Sequence, residues 1–122
     1  MRKDTKARDF DKATKIAIAL RDSIDGWPCC VFCGEPAPRY RDDDDLPLTW
    51  SNAHYIARSQ GGLGIAKNGL SLCPRCHRKY DQSIAREEMR GYFREYLQDS
   101  YEDWNEADLV YRKESHGLRI SE

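Results

Sequence analysis

The chain has 122 residues, of which 39% are apolar and 34% charged, and its formal net charge is −1. This length fits one domain rather than two, and the modest apolar content predicts a small core that a bound metal could supplement. The charged N-terminal residues lead into no apolar signal segment, and the apolar run at residues 16–20 is too short to cross a membrane. We therefore expect a cytosolic protein with reduced thiols and no membrane partner.

The first predicted element is an amphipathic helix over residues 10–24, which Asp25 and Gly26 would end. Its predicted apolar stripe consists of Phe10, Ala13, Ile16, Ala17 and Leu20. A stretch rich in Pro, Arg and Asp over residues 35–48 then predicts a loop. The acidic run within it, at residues 42–45, is compatible with a bound cation, but an ordinary solvated turn is the favoured interpretation.

Two strands are predicted in the middle of the chain. Residues 49–58 and 70–72 have the composition of strands, and the glycines at positions 61, 62 and 64 predict a turn or loop between them. A helix is expected to start at or near the cysteine pair that follows the second strand. His77 would then lie in the first turns of that helix.

A further helix is predicted over residues 83–98, with Ser83 as its N-cap. Its apolar stripe, which we interpret as core packing, consists of Met89, Tyr92, Phe93, Tyr96 and Leu97. Trp104 and residues 109–111 are expected to close the fold with a turn and a short strand. The whole chain is therefore predicted to form one domain, with an N-terminal helix before the cysteine-containing core and a helix and tail after it.

Four of the five cysteines form two pairs with a two-residue gap, Cys30/Cys33 and Cys73/Cys76. Two such hooks can place four thiolates tetrahedrally around zinc, so this spacing predicts a structural zinc site and leaves Cys29 as the spare thiol. Two alternatives stay open at this point. The cysteines could form disulfides, or His77 could replace one of them as a zinc ligand.

Charge is unevenly distributed along the chain. Residues 54–94 contain eight Lys and Arg against three Asp and Glu, whereas residues 95–122 contain three against eight. Local clustering of positive charge matters more for phosphate contact than the net charge of the whole chain. The segment that carries two of the three histidines therefore has the composition of a phosphate-binding surface, with an ordinary solvated basic face as the alternative.

His54, His77 and Asp81 supply the parts of a phosphodiester-hydrolysing site. A partly exposed histidine can act as a base near neutral pH, and two side chains four residues apart on a helix can share a divalent ion. Each residue also has a plainer explanation, because isolated histidines are usually surface or core groups and Asn68 before a glycine can simply form a turn. The third histidine, His116, stands in a polar tail and is interpreted as incidental.

Residues 53–62 (Ala-His-Tyr-Ile-Ala-Arg-Ser-Gln-Gly-Gly), Asn68 and residues 72–77 (Leu-Cys-Pro-Arg-Cys-His) together resemble the HNH endonuclease motif of the His-Me finger nucleases. The flanking cysteine pairs resemble the zinc-stapled branch of that family, which is common in bacteriophages and prophages. The resemblance covers residues 30–81, under half of the chain. The helix and tail over residues 83–122 lie outside it.

The resemblance implies an α+β fold of the ββα-metal type, in which two antiparallel strands and a helix hold one divalent ion. It implies that His54 is the general base, that His77 binds the catalytic ion, and that Asn68 fixes the loop between the strands or, less often, reaches the ion. The four cysteines would hold a separate structural Zn²⁺. Arg58, Arg75 and Arg78 would be candidates for gripping phosphates.

One position departs from the family pattern. Many members have Asp or His immediately before the general base as a second ligand of the ion, whereas this chain has Ala53. Asp81 is the best substitute, because it matches a position at which some members carry a second helical histidine.

The leading functional prediction is a metal-dependent DNA endonuclease that acts on double-stranded DNA with Mg²⁺, Mn²⁺ or Ni²⁺. The resemblance also implies a phage- or prophage-encoded protein of the bacterial cytoplasm, with phage packaging proteins as partners. A non-catalytic zinc-stapled DNA-binding module is the alternative, as Ala53 suggests. A third class is a zinc-held scaffold that binds another protein through its acidic C-terminal portion.

Overall fold

The computed structural model describes residues 7–38, 50 and 52–110. These residues include three complete α-helices, two further helical residues at positions 7 and 8, and two small antiparallel sheets. The helices are α1 (Lys12–Arg21), α2 (Pro74–Gln82) and α3 (Arg86–Ser100). The strands are β1 (Ser23–Ile24), β2 (Trp27–Pro28), β3 (Ala53–His54) and β4 (Gly69–Leu70). Three 3₁₀ helices span Arg58–Gln60, Ala66–Asn68 and Glu106–Leu109. This is a small α+β fold, as predicted. None of the described helices has both the length and the apolar content needed to span a membrane.

Each sheet consists of two strands of two residues. The sheet of β1 and β2 was not predicted, and β3 and β4 are shorter than the strands predicted over residues 49–58 and 70–72. β1 pairs with β2 across Asp25 and Gly26, whose φ angles of 54° and 83° form the tight turn. In the second sheet Ala53 pairs with Leu70 and His54 with Gly69. The ladder ends after His54 because the groups of the next pair bond elsewhere. The Asn68 N–H donates to the Ile65 carbonyl, and the Tyr55 carbonyl accepts the Tyr80 hydroxyl.

Helix α1 differs from the prediction both in length and in the face that it buries. It starts after Asp11, whose carboxylate caps the Thr14 N–H at 2.8 Å, and it ends at Arg21, so residues 23 and 24 belong to β1. The buried residues are Ile18 and Ala19, whereas Leu20 is 59% exposed. The predicted stripe was therefore wrong. The cause is the continuous apolar run at residues 16–20, which is compatible with more than one buried face.

Helices α2 and α3 pack against each other and supply much of the core. Cys73 is the N-cap of α2 and Pro74 occupies its first turn, where the missing N–H costs nothing. Helix α3 begins at Arg86 rather than at Ser83, which lies at the end of α2 and accepts the Ala85 N–H with its hydroxyl at 3.1 Å. The predicted N-cap was therefore wrong.

The predicted stripe of α3 is partly correct. Met89, Phe93 and Leu97, which lie four residues apart on one face, are fully buried. Tyr92 is 49% exposed, and Tyr96 is half-buried and donates its hydroxyl to the Asp22 carboxylate. Phe93 meets Tyr80 of α2 edge to face at 5.0 Å between ring centroids, which joins the two helices.

The segment after α3 packs against the loop between β3 and β4. Trp104 donates its ring N–H to the Lys67 carbonyl at 2.8 Å, and the Leu109 carbonyl accepts the Leu63 N–H at 2.8 Å. In place of the predicted strand at 109–111, the structure has the 3₁₀ helix that ends at Leu109 and a single bridge from Val110 to Gly62. Residue 111 and the acidic run at 42–45 lie outside the described residues.

A buried carboxylate ties α1 to the rest of the molecule. Asp22 is 6% exposed and accepts from the Arg21 guanidinium at 2.7 and 2.9 Å, from the Ser71 N–H at 2.9 Å, and from the Tyr96 hydroxyl. The Arg21 guanidinium also donates to the carbonyls of Ala66 and Gly69. This network holds α1 against β4 and α3.

We expect Asp22→Ala to destabilise the protein by about 3–5 kcal/mol, because it leaves the buried Arg21 cation and the Ser71 N–H without their shared partner. Asp103→Ala is the control, since it breaks the exposed Lys67–Asp103 pair of 2.9 Å and should cost no more than about 1 kcal/mol. Urea unfolding followed by circular dichroism measures both values. Similar losses for the two variants would contradict the assigned role of Asp22.

Candidate metal centre and histidine cleft

The four paired cysteines come together in one cluster. The Sγ atoms of Cys30, Cys33, Cys73 and Cys76 all lie within 4.8 Å of one another, and Cys33 and Cys73 are 3.7 Å apart. Tetrahedral coordination with bonds of 2.3 Å requires sulfur–sulfur separations of about 3.8 Å, so the cluster fits a metal ion such as zinc. Neither a disulfide nor a histidine is needed to complete this set of four.

Each cysteine pair folds locally as a metal-binding turn. The Cys33 N–H points at Cys30 Sγ at 3.5 Å, and the Cys76 N–H points at Cys73 Sγ at 3.4 Å. Gly34, with φ of 83°, lets the chain turn back so that its N–H reaches the Cys30 carbonyl. Cys29 stays outside the cluster, with its thiol 3.4 Å from the Trp27 carbonyl, as the spacing predicted.

The electrostatics of the cluster favour a bound cation. Burial raises the pKa of the Cys30 thiol and, together with the neighbouring Cys73 thiol, that of Cys76. The pKa of Cys33 is lowered. Burial is the largest single effect and opposes this shift, but the hydrogen bonds from the Glu35 backbone and from the other three thiols of the cluster together outweigh it. Several thiolates in so small a volume repel one another, and a divalent ion at their centre removes this penalty.

A second group of predicted residues lines an open cleft of about 850 Å³, which we call the histidine cleft. It is lined by His54, Arg58, His77 and Asp81, among others. His54 lies at the end of β3, and His77 and Asp81 lie on α2. One helical turn separates His77 from Asp81, and His77 Nε2 is 3.2 Å from Asp81 Oδ2. Side chains predicted to act together therefore share one concave surface.

His54 is half-buried and held on two sides. Its Nε2 atom lies 2.7 Å from the Arg8 carbonyl, and the Phe10 ring lies against the imidazole at 4.2 Å between centroids. Burial lowers the pKa of His54, although the Arg8 carbonyl opposes this shift. Because a carbonyl only accepts hydrogen bonds, the proton of the neutral ring is on Nε2, and Nδ1 is the nitrogen with a free lone pair.

Asn68 is fully buried and uses its whole amide within the loop between β3 and β4. Its Oδ1 accepts the Ile56 N–H at 2.8 Å, and its Nδ2 donates to the carbonyls of Ile56 and Leu63 at 3.2 and 2.9 Å. The backbone carbonyl of Asn68 also accepts the Tyr55 N–H. These contacts fix the loop immediately after His54, and they leave the amide no atom directed at the histidine cleft.

We expect Asn68→Ala to cost about 3–5 kcal/mol of unfolding free energy, because three backbone groups, two buried and one partly buried, lose their partner. Asn105→Ala is a suitable comparison, since the exposed Asn105 side chain caps a single N–H, that of Ala107, and its loss should cost about 1 kcal/mol. Guanidinium unfolding curves would measure the difference. A cost for Asn68→Ala no greater than that of Asn105→Ala would refute this account of the loop.

The three predicted arginines lie in different places. Arg58 lines the histidine cleft, whereas Arg78 lines an adjoining cleft of about 390 Å³ that shares His77 and Asp81 with it. Arg75 lies beside the cysteine cluster, with its guanidinium 3.9 Å from Cys33 Sγ and 3.8 Å from the Glu35 carboxylate. The predicted set is therefore spread along α2 and the loop after β3 rather than gathered at one point.

Sequence reasoning missed several residues of the histidine cleft, among them Phe10, Lys15 and Arg86. Arg86 donates to the Tyr80 carbonyl at 2.7 Å and lies 3.9 Å from Asp81 Oδ1. Arg86 lies in the positively charged segment over residues 54–94, which could have indicated its place in the cleft. Phe10 had been assigned to a helix stripe, and nothing local in the sequence indicates its contact with His54. Ala53, the position that departs from the family pattern, is fully buried in the core.

The fold and the cysteine cluster together define the class of this molecule. It is a small α+β protein with short antiparallel sheets and a four-cysteine metal-binding cluster. No family model matches the chain. A stretch of 54 residues is 39% identical to the type IV methyl-directed restriction enzyme EcoKMcrA of Escherichia coli (strain K12). The similarity covers 44% of this chain and 19% of that enzyme, so the chain spans about a fifth of its relative.

Proposed function

We propose that this protein is an HNH-type endonuclease that hydrolyses phosphodiester bonds of double-stranded DNA with the help of a divalent ion. The observation that carries this proposal is the histidine cleft, which brings His54 into one surface with the His77–Asp81 pair and Arg58. The similarity of 54 residues to a restriction enzyme supports the same reaction class. β3, β4 and α2 would be the two strands and the helix of a ββα-metal unit.

His54 is the proposed general base. Its lowered pKa keeps the ring neutral at pH 7, so Nδ1 can take a proton from the attacking water. His77 and Asp81 would hold the ion, with Mg²⁺, Mn²⁺ or Ni²⁺ as candidates. When bound, such an ion would neutralise charge on the phosphate and on the departing 3′ oxygen. Arg58 would contact a neighbouring phosphate, and Asn68 would keep the loop after His54 in place.

The four-cysteine cluster is proposed to hold Zn²⁺ in a purely structural role. All four positions of a tetrahedral ion would be filled by sulfur, so no position is left open for water or substrate. The ion would anchor the first turn of α2 to the turn after β2. It would therefore set the position of His77, which directly follows Cys76.

DNA contact is proposed to involve the backbone rather than the bases. Residues 54–94 have an excess of five positive charges, and phosphate contacts of this kind carry no sequence information. We transfer only the nuclease chemistry from the restriction enzyme, because the similar stretch is 19% of that protein. The phage origin, the packaging partners and the bacterial cytoplasm stay predictions.

A non-catalytic DNA-binding module is the second candidate. The observation that favours it is Ala53, which is buried and cannot bind an ion, so that His77 and Asp81 are the two proposed protein ligands. Two ligands are compatible with Mg²⁺, which keeps several waters and completes its shell with substrate phosphates. For this reason we prefer the nuclease.

Nicking of supercoiled plasmid by the purified zinc-loaded protein tests the proposal. We expect conversion to the open-circular form with Mg²⁺, Mn²⁺ or Ni²⁺ and none with EDTA. EDTA should be added immediately before the assay, and the zinc content measured afterwards, so that loss of the structural ion is not mistaken for loss of the catalytic one. Salt-sensitive DNA binding without cleavage in any ion would establish the binding module instead.

A further inference from the structure

We propose that residues 7–10, which precede the motif, form a positioning segment for His54. In this arrangement the Arg8 carbonyl fixes the tautomer and tilt of the imidazole, and the Phe10 ring supports one face of it. This inference rests on the proposed function, since the position of a general base matters only where His54 acts as one. Arg8 and Phe10 act through His54 and are positioning residues rather than catalytic ones.

The contacts with the imidazole come from a distant part of the chain. Arg8 precedes His54 by 46 residues, and its carbonyl lies 2.7 Å from Nε2, a normal hydrogen-bond length. The Phe10 ring is inclined by 30° to the imidazole at a centroid distance of 4.2 Å. Together these contacts restrain both the ring's rotation and its position. They use the nitrogen that a base does not need and leave Nδ1 with its lone pair.

The segment is itself anchored next to the histidine cleft. The Ala7 carbonyl accepts the Gly64 N–H at 2.9 Å, the Asp9 carboxylate pairs with the Arg58 guanidinium at 2.7 Å, and an Arg8 Nη donates to the Arg58 carbonyl at 3.2 Å. Phe10 also packs against Gly69, at which an added Cβ would lie 3.0 Å from the Phe10 ring. The segment is therefore held by the loop that follows His54 and by the strand paired with it.

An unrestrained imidazole can rotate and can place its proton on either nitrogen, so only part of the population presents the correct base. Proton transfer requires the base within hydrogen-bond reach of the water, and misplacement by about 1 Å can reduce the rate about 100-fold. A carbonyl on Nε2 restricts the ring to one tautomer and one orientation. Residues 7–10 thus provide pre-organisation that the two strands alone do not.

Gly64 offers a way to displace this segment without touching His54. An added Cβ at Gly64 would lie 2.2 Å from the Asp9 carbonyl oxygen and 2.8 Å from the Phe10 nitrogen, so the segment must shift in Gly64→Ala. The backbone of Gly64 does not have the positive φ that would strain an alanine. Gly91→Ala is the matched control, because an added Cβ there meets nothing within 4 Å.

The test uses the whole 122-residue chain, loaded with zinc, and two readouts. In ¹⁵N-histidine NMR above the pH at which the rings titrate, we expect His54 to be the Nε2–H tautomer in the wild type and a tautomer mixture in Gly64→Ala. The nicking kcat should fall about 10- to 100-fold in this variant while KM changes little. Gly91→Ala should match the wild type in both readouts. Phe10→Ala should show an intermediate loss, which Phe10→Tyr restores.

Zinc content and far-UV circular dichroism identify any variant that fails to fold, and if Gly64→Ala fails, Phe10→Ala and Phe10→Tyr carry the test. A retained Nε2–H tautomer and an unchanged kcat in folded Gly64→Ala would overturn the proposal. Faster nicking would also overturn it, by showing that residues 7–10 cover the base and inhibit it. If Gly64→Ala loses the Nε2–H tautomer but the wild type itself nicks no DNA, the contact between residues 7–10 and His54 is upheld and the nuclease is refuted. Failure of this inference and failure of the proposed function are therefore distinguishable.

Discussion

Cys73→Ser is expected to abolish stoichiometric zinc binding and, with it, cooperative unfolding. Serine is a good helix N-cap, so the substitution keeps the cap of α2 and removes only the thiolate. Structural zinc in small domains contributes apparent binding free energies of about 10–16 kcal/mol. Since whole domains are stable by only about 5–15 kcal/mol, a chain without this ion should not stay folded. Metal analysis and thermal melts followed by circular dichroism measure both effects.

Cys29→Ser is the matched control for that experiment. Cys29 is buried next to the cluster but contributes no ligand, and a serine hydroxyl can replace its contact with the Trp27 carbonyl. We expect this variant to bind one zinc per chain and to melt close to the wild type. A Cys73→Ser protein that melts cooperatively within a few degrees of the wild type would show that the cluster does not stabilise the fold through a metal.

His54→Ala is expected to reduce plasmid nicking by about 10²- to 10⁴-fold, which is the range that general-base catalysis contributes. The structure gives the reason, since the variant removes the side chain of the histidine cleft whose pKa is lowered below its ordinary 6.5. The proposed base must be neutral to accept a proton, and a lowered pKa keeps the imidazole neutral down to a lower pH. In the wild type the acid limb of the kcat/KM–pH profile, which reports the free enzyme, should therefore lie below pH 6.5.

His116→Ala is the control for the loss of a histidine. This residue lies outside the described part of the structure, and we expect the variant to nick at the wild-type rate. A His54→Gln variant extends the test, because glutamine keeps a polar side chain that cannot act as a base near pH 7. Nicking that survives in both His54 variants would indicate a contaminating nuclease or a different base.

The sequence predicted best those features that depend on local spacing. The two cysteine pairs needed only their gaps to indicate a single cluster, and the helix expected to start at or near the second pair begins at Pro74. The buried residues of α3, Met89, Phe93 and Leu97, were also predicted from their four-residue spacing. In each case the physical cause lies within a few residues of its effect, so a pattern in the chain reports it.

Features set by distant contacts were not predictable in this way. The buried face of α1 depends on Asp22, which binds the Ser71 N–H and the Tyr96 hydroxyl far along the chain. The environment of His54 depends on a backbone carbonyl 46 residues away, and a carbonyl has no sequence signature. The β3–β4 ladder stops at two residues because the Asn68 N–H donates to the Ile65 carbonyl and the Tyr55 carbonyl accepts the Tyr80 hydroxyl, 25 residues away. None of these partners can be inferred from periodicity.

Helix α2 joins two sites that differ in chemistry. Its first turn carries Cys76 of the sulfur cluster, and the next residue, His77, belongs to the histidine cleft. Under the proposed function the two ions would therefore fill in a fixed order, because a newly made chain cannot set His77 before its cysteines have captured a metal. The supply of a thiol-seeking metal, rather than of abundant magnesium, would then determine how much active enzyme a cell contains.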